Sequence, residues 1–116
     1  SELSKIPEIT VPIHSKDSGT AYNLYTIRID TKNLTVTRDE IVELLKQEQI
    51  GVSVYYIPLY EFSYFQKHLK LKSSDYPHAS AVYQNMMSLP LYPKMTLKDV
   101  NRVINTLSKI IIKHRK

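Results

Sequence analysis

The chain has 116 residues, 42% hydrophobic and 23% charged, enough apolar material for one modest core and too much for a disordered segment. Apolar runs such as Ile110-Ile111-Ile112 fall far short of bilayer length, and cysteine is absent, so a membrane-spanning helix, a disulfide framework and a thiolate nucleophile or metal site are excluded. The net charge of +5 gathers in Lys67-His68-Leu69-Lys70-Leu71-Lys72 and Lys113-His114-Arg115-Lys116 without a nucleic-acid-binding module, so neither nucleic acid nor membrane is expected as a partner. No secretory leader pattern opens the sequence, and a cytoplasmic setting is expected.

Residues 1–20 are weakly patterned and are expected to be an irregular segment, the ragged start of something cut from a longer chain. Pro7 and Pro12 flank Glu8-Ile9-Thr10-Val11, which suits a short edge strand because proline cannot serve a central ladder. Residues 15–20 are polar, contain Gly19 and read as a loop. Residues 21–30 then form the best strand of the sequence, with Tyr25, Ile27 and Ile29 alternating against Leu24, Thr26 and Arg28.

Thr37-Arg38-Asp39-Glu40 has the spacing of a capping box, and Ile41, Leu44 and Leu45 follow at helical intervals, so a helix is predicted over 38–48. Gly51 lies past its end, and residues 52–57 read as a second strand closed by Pro58. Phe62, Phe65 and Leu69 would share one face of a short helix within a segment, 60–72, that is otherwise too polar to assign. Asp75-Tyr76-Pro77 starts a helix carrying Ala79, Val82, Tyr83 and Met86 on one face. Two prolines make Ser88-Leu89-Pro90-Leu91-Tyr92-Pro93 extended.

Thr96-Leu97-Lys98-Asp99 is a second cap with a shorter arm, and Leu97, Val100, Ile104, Leu107 and Ile111 form the stripe of a helix over 97–113. Residues 114–116 are a basic tail, the frayed end of that helix, where cations suit the negative end of the helix dipole. The strands lack the long buried runs of a parallel sheet. The expected fold class is α+β, a small, mainly antiparallel sheet with helices packed over it.

Chemistry is sparse. His14, His68, His78 and His114 lack metal-ligand spacing, two glycines cannot build a phosphate loop, and Glu40, Glu43 and Glu48 lie on a solvated helix face. No residue is assigned a catalytic role. The one concentrated feature is Val54-Tyr55-Tyr56-Ile57-Pro58-Leu59-Tyr60, where strand alternation would send Tyr55 and Tyr56 to opposite faces. Tyrosines at such a turn can line a cleft and stack on a sugar or base; equally, Tyr56 could pack in the core with Tyr55 and Tyr60 at its rim.

Residues 21–30, then Arg38-Asp39-Glu40, then Val54 to Tyr60, then Ser88 to Pro93 together resemble the C-terminal portion of DegT/StrS-type sugar aminotransferases. The resemblance runs from about Ala21 to Ile112 with the motifs in the family's order. Asn23 stands where that family commonly has histidine, Tyr55 and Tyr60 stand in place of both histidines of the second motif, and Met87 replaces a leucine. Tyrosine, with a reference pKa near about 10, stays neutral where a histidine could charge.

The resemblance implies that residues 21–113 are the small domain of a fold type I transaminase. A larger N-terminal domain of the parent would hold pyridoxal phosphate; the cofactor has no place in this segment. The implied partners are that cofactor-binding domain, a nucleotide-sugar substrate and, for the full-length protein, a second subunit in a homodimer. By motif position Tyr55, Tyr56 and Tyr60 would lie nearest the substrate pocket, with Tyr22 and Asn23 as further candidates. The alternative is a free-standing, non-catalytic interaction module derived from the same domain.

Overall fold

The computed structural model describes every residue except Ser1, His14, Ser15, Ser18, Thr20 and Tyr22. Its centre is a three-stranded antiparallel sheet in the order β1 (Ile9–Thr10), β2 (Tyr25–Ile29), β3 (Met86–Leu89). Ile27 faces Met87 and Tyr25 faces Leu89 across the β2–β3 ladder, so one face of the sheet is a continuous apolar surface. On it sit α1 (Arg38–Gln47), through Ile41 and Leu45, and α4 (Leu97–Lys113), through Val103, Leu107 and Ile111. The shorter α2 (Ser63–Leu69) and α3 (Pro77–Asn85) lie in the long connection between α1 and β3. This is the expected α+β arrangement.

Both long helices start where the sequence places them. Thr37 Oγ1 accepts from the Glu40 amide at 3.3 Å while Glu40 Oε2 accepts from the Thr37 amide at 2.7 Å. Asp99 makes the same reciprocal pair with Thr96, at 3.2 and 2.9 Å, so the shorter aspartate arm also closes its box. α1 ends one residue before the expected limit, and the left-handed position beyond it is Gln49, with φ of 58°, rather than Gly51. Leu97 heads the apolar stripe of α4 yet is 82% exposed. A 17-residue helix is roughly 25 Å long against roughly 17 Å for β2, so β2 cannot cover the whole of its apolar stripe.

Three strand expectations shift. Ala21, Asn23 and Leu24 precede β2 instead of belonging to it, since the ladder with β3 ends at the Tyr25–Leu89 pair; Tyr22 of the expected strand lies outside the described residues. Met86, read as part of the preceding helix, instead opens β3 together with Met87, since α3 stops at Asn85. Residues 52–57 do not form the second strand. Only Ser53 joins the sheet, through a single bridge to Ser88.

The chain termini are tied in. Leu3 and Ile9 lie in the core, and buried Glu8 accepts two hydrogen bonds from the Arg115 guanidinium at 2.6 and 2.9 Å. The tail expected to fray instead returns to residues 33–35: the His114 carbonyl accepts from the Thr35 amide at 2.8 Å and the Asn33 carbonyl from the Lys116 amide at 3.0 Å. No helix among the described residues is long and apolar enough to cross a membrane.

Arg115, bonded to Glu8, holds that carboxyl below the usual range, as the Thr37 cap does for Glu40 and the Thr96 cap for Asp99. Carboxyls lowered in the folded state contribute stability that is complete above the ordinary carboxylate range and is lost as pH falls through the folded values. Urea unfolding followed from neutral to acid pH should show this decline. Glu8→Gln should cost about 1–3 kcal/mol at neutral pH and flatten the acid limb; an unchanged pH profile in that variant would rule the ion pair out as a source of acid sensitivity.

Candidate functional site

The tyrosine cluster begins where the chain leaves the sheet. Beyond Ser53 no further ladder holds the backbone, so strand alternation does not apply and Tyr55 and Tyr56 do not go to opposite faces. Their ring centroids lie 5.0 Å apart with planes inclined at 43°, and they are 39% and 77% exposed. Pro58 then turns the chain into a 3-10 turn over Leu59–Glu61.

Tyr60 has a different environment. It is only 5% exposed, stacks on Tyr76 at 5.5 Å and 8°, and its hydroxyl lies 2.8 Å from Ser80 Oγ. Its carbonyl accepts from Gln66 Nε2 at 2.7 Å. The placement is the reverse of the core alternative read from the sequence: Tyr60 packs inward and Tyr56 faces out. Of the weaker candidates, Asn23 is exposed just before β2, and Tyr22 lies outside the described residues.

Two features escaped the sequence. Phe62, Tyr64 and His68 extend the exposed aromatic surface along α2, with the Tyr64 and His68 rings 4.5 Å apart. The i, i+4 spacing of those two rings was the available signal. Arg38, in the polar first turn of α1, is buried: it donates to the Met86 carbonyl at 2.6 Å and to Asp39 Oδ1 at 2.6 Å, with its guanidinium carbon 5.4 Å from the centroid of the Tyr83 ring. It therefore fixes the α3–β3 junction against α1. Nothing in its sequence context marked it as buried.

Two clefts lie away from the tyrosines. One, of about 230 Å³, is lined by apolar side chains including Leu3, Leu89, Met95 and Val103; the other, of about 470 Å³, borders Arg38, Asp30 and Asn85. Among the described residues no group of three or more His, Asp or Glu is placed to hold a metal ion.

Residues 1–108 match the model of the DegT/DnrJ/EryC1/StrS aminotransferase family. The chain belongs to that family. It is 39% identical over 110 residues to the spore coat polysaccharide biosynthesis protein SpsC of Bacillus subtilis, covering 94% of this chain and 28% of SpsC. It is 36% identical over 114 residues to the uncharacterized protein MJ1066 of Methanocaldococcus jannaschii, covering 98% of this chain and 30% of that one. Among solved structures it superposes on Spr1654 of Streptococcus pneumoniae in its PLP-form with a TM-score of 0.79 and 25% identity, covering 91% of this chain and 27% of Spr1654. The chain thus spans under a third of the length of these relatives.

The two kinds of tyrosine should separate on substitution. Tyr56→Ala should leave the thermal unfolding free energy within about 0.5 kcal/mol of the parent chain, as befits an exposed ring. Tyr60→Ala should cost about 3 kcal/mol, and Tyr60→Phe about 1 kcal/mol through the lost hydroxyl contact. Equal losses at positions 56 and 60 would contradict the placement described.

Proposed function

We propose that this family member is the small domain of a sugar-nucleotide aminotransferase and that Tyr55 and Tyr56 form part of its substrate pocket. The observation that carries the reading is the exposed ring pair at the end of an anchored segment, in a chain of this family. Such rings stack on a sugar or base while their hydroxyls donate to its oxygens. SpsC, by its name, belongs to polysaccharide biosynthesis, which supports a sugar substrate.

Pyridoxal phosphate, which supplies the electron sink of transamination when bound, does not fit the residues present. A lysine that forms a Schiff base at neutral pH is one whose burial or neighbours lower its pKa. Every lysine of this chain is exposed. The cofactor is therefore assigned to the remainder of a longer parent, whose cofactor-binding domain would be the immediate partner of this one, with a homodimer as the full assembly. A cytoplasmic location accords with the cysteine-free sequence. Within the pocket the part left to this chain is binding and orientation of substrate. Tyr60, locked to Ser80 and Tyr76, would act by positioning the turn that carries the pair, and Asn23, exposed just before β2, would line the approach, with Tyr22 a candidate by motif position alone.

A non-catalytic interaction module is the second reading, favoured by the exposed Tyr56, Ile57, Leu59 and Tyr64. In the longest protein that contains this chain, Tyr55→Ala with Tyr56→Ala should raise the KM for the nucleotide sugar about tenfold or more, the loss of one or more stacking contacts, with the cofactor's absorption unchanged. Kinetics unaffected by the double substitution would remove the pocket assignment. An aldimine band reduced by borohydride onto a lysine of this chain would overturn the division of labour.

A further inference from the structure

The two holds on the tyrosine segment converge on one junction. Ser53 is bridged to Ser88 of β3, while Tyr60 stacks on Tyr76 and lies 2.8 Å from Ser80 Oγ, at the N-terminal end of α3. α3 ends at Asn85 and β3 begins at Met86, with no loop between them. The backbone angle at Asn85–Met86 therefore sets where the hold on Tyr60 stands relative to the hold on Ser53. Packing does little to fix that angle, since no residue of α3 is buried. Polar contacts hold its C-terminal end instead. Arg38 Nη1 donates to the Met86 carbonyl at 2.6 Å, the guanidinium carbon lies 5.4 Å from the centroid of the Tyr83 ring, and Thr31 Oγ1 donates to Asn85 Oδ1 at 3.1 Å.

Arg38 is a costly residue for this place. It opens α1, where a cation faces the positive end of the helix dipole, and its side chain is only 6% exposed. Burying its charge adds a desolvation cost, and an apolar side chain of similar length would fill the space without either penalty. What an apolar side chain cannot do is donate to the Met86 carbonyl with a cation over the Tyr83 ring. We propose that Arg38 is a positioning residue for substrate binding. It fixes α3 against β3, and through Tyr60 and Ser53 it sets the orientation in which Tyr55 and Tyr56 meet the nucleotide sugar. The proposal rests on the reading of that pair as part of the substrate pocket. Because Arg38 acts through the rings, its effect on binding should vanish when they are absent.

In the longest protein that contains this chain, Arg38→Met should raise the KM for the nucleotide sugar about fivefold or more while kcat stays within about twofold, since the lost contact orients a binding element and not the reacting groups. Arg38→Lys keeps a charge and a donor without the planar fork, and should recover part of the loss, leaving KM up about threefold. The deciding measurement combines each variant with Tyr55→Ala and Tyr56→Ala. In that background either substitution should change KM by less than about 1.5-fold. If Arg38→Met does not fold, Arg38→Lys carries the same comparison. A structural role alone would lower the active fraction, and so kcat, by the same factor with and without the rings. A KM unmoved by both substitutions in folded protein, or raised equally in the two backgrounds, overturns the proposal while leaving the tyrosine pair in the pocket. Should the double tyrosine substitution itself leave KM unchanged, the substrate reading falls and this proposal falls with it.

Discussion

Ile27 and Ile29, both closed to solvent on the central strand, hold the rest of the molecule in register. Their side chains meet Met87 and Leu89 from β3 and the buried stripes of α1 and α4 in a single core. Because strand residues alternate, placing these isoleucines inward forces Thr26 and Arg28 onto the other face, and Thr26 there meets Ser88 with hydroxyl oxygens 2.9 Å apart. Ser88 in turn is the residue whose backbone captures Ser53. The position of the tyrosine pair, two residues further on, is thus a consequence of burying the isoleucines. A shift of one residue in β2 would turn its apolar set outward and carry the Ser53 anchor with it.

The same chain of dependence explains why Tyr55 and Tyr56 are exposed while Tyr60 is not. Ser53 is the last point at which the sheet restrains this connection, and Pro58 ends any extension of it. Between the two, the rings have no core to enter. From Tyr60 onward the chain builds a small cluster of its own, in which Tyr60, Tyr76, Ser80 and Gln66 satisfy one another. Anchored at both ends and free in the middle is an arrangement suited to presenting side chains to a ligand, because ordering the flanks has already removed much of the entropy that binding would otherwise cost.

Helices and caps were legible in the sequence, for a local reason: a capping box and a 3.6-residue stripe are complete within one segment, and both boxes form as read. Strand limits were not, since a ladder depends on its partner's length. Residues 21–24 and 52–57 have good strand composition, yet β3 offers only four residues before Pro90. The candidate site was legible as a cluster of tyrosines but not in its geometry. Alternation assumed a ladder that stops at Ser53, and the burial of Tyr60 rests on Tyr76 and Ser80, which nothing near position 60 announces. Arg38 shows the same limit, because its partners Met86 and Tyr83 are distant in the chain.

By the resemblance of its motifs, Tyr55 and Tyr60 stand where sugar aminotransferases commonly have histidine, and the two positions differ physically. A histidine near neutrality can hold or release a proton and present a charge to an anionic substrate. Tyr55 presents an exposed ring and hydroxyl in that place, whereas the Tyr60 ring is buried against Tyr76 with its hydroxyl 2.8 Å from Ser80 Oγ. Positive charge in this chain lies instead at Lys67, Lys70 and Lys72, exposed after and along α2, and at the C-terminal end of α4. On the proposed reading, stacking and positive charge would come from different elements, with shape read at the exposed tyrosines and an anion attracted by the lysines.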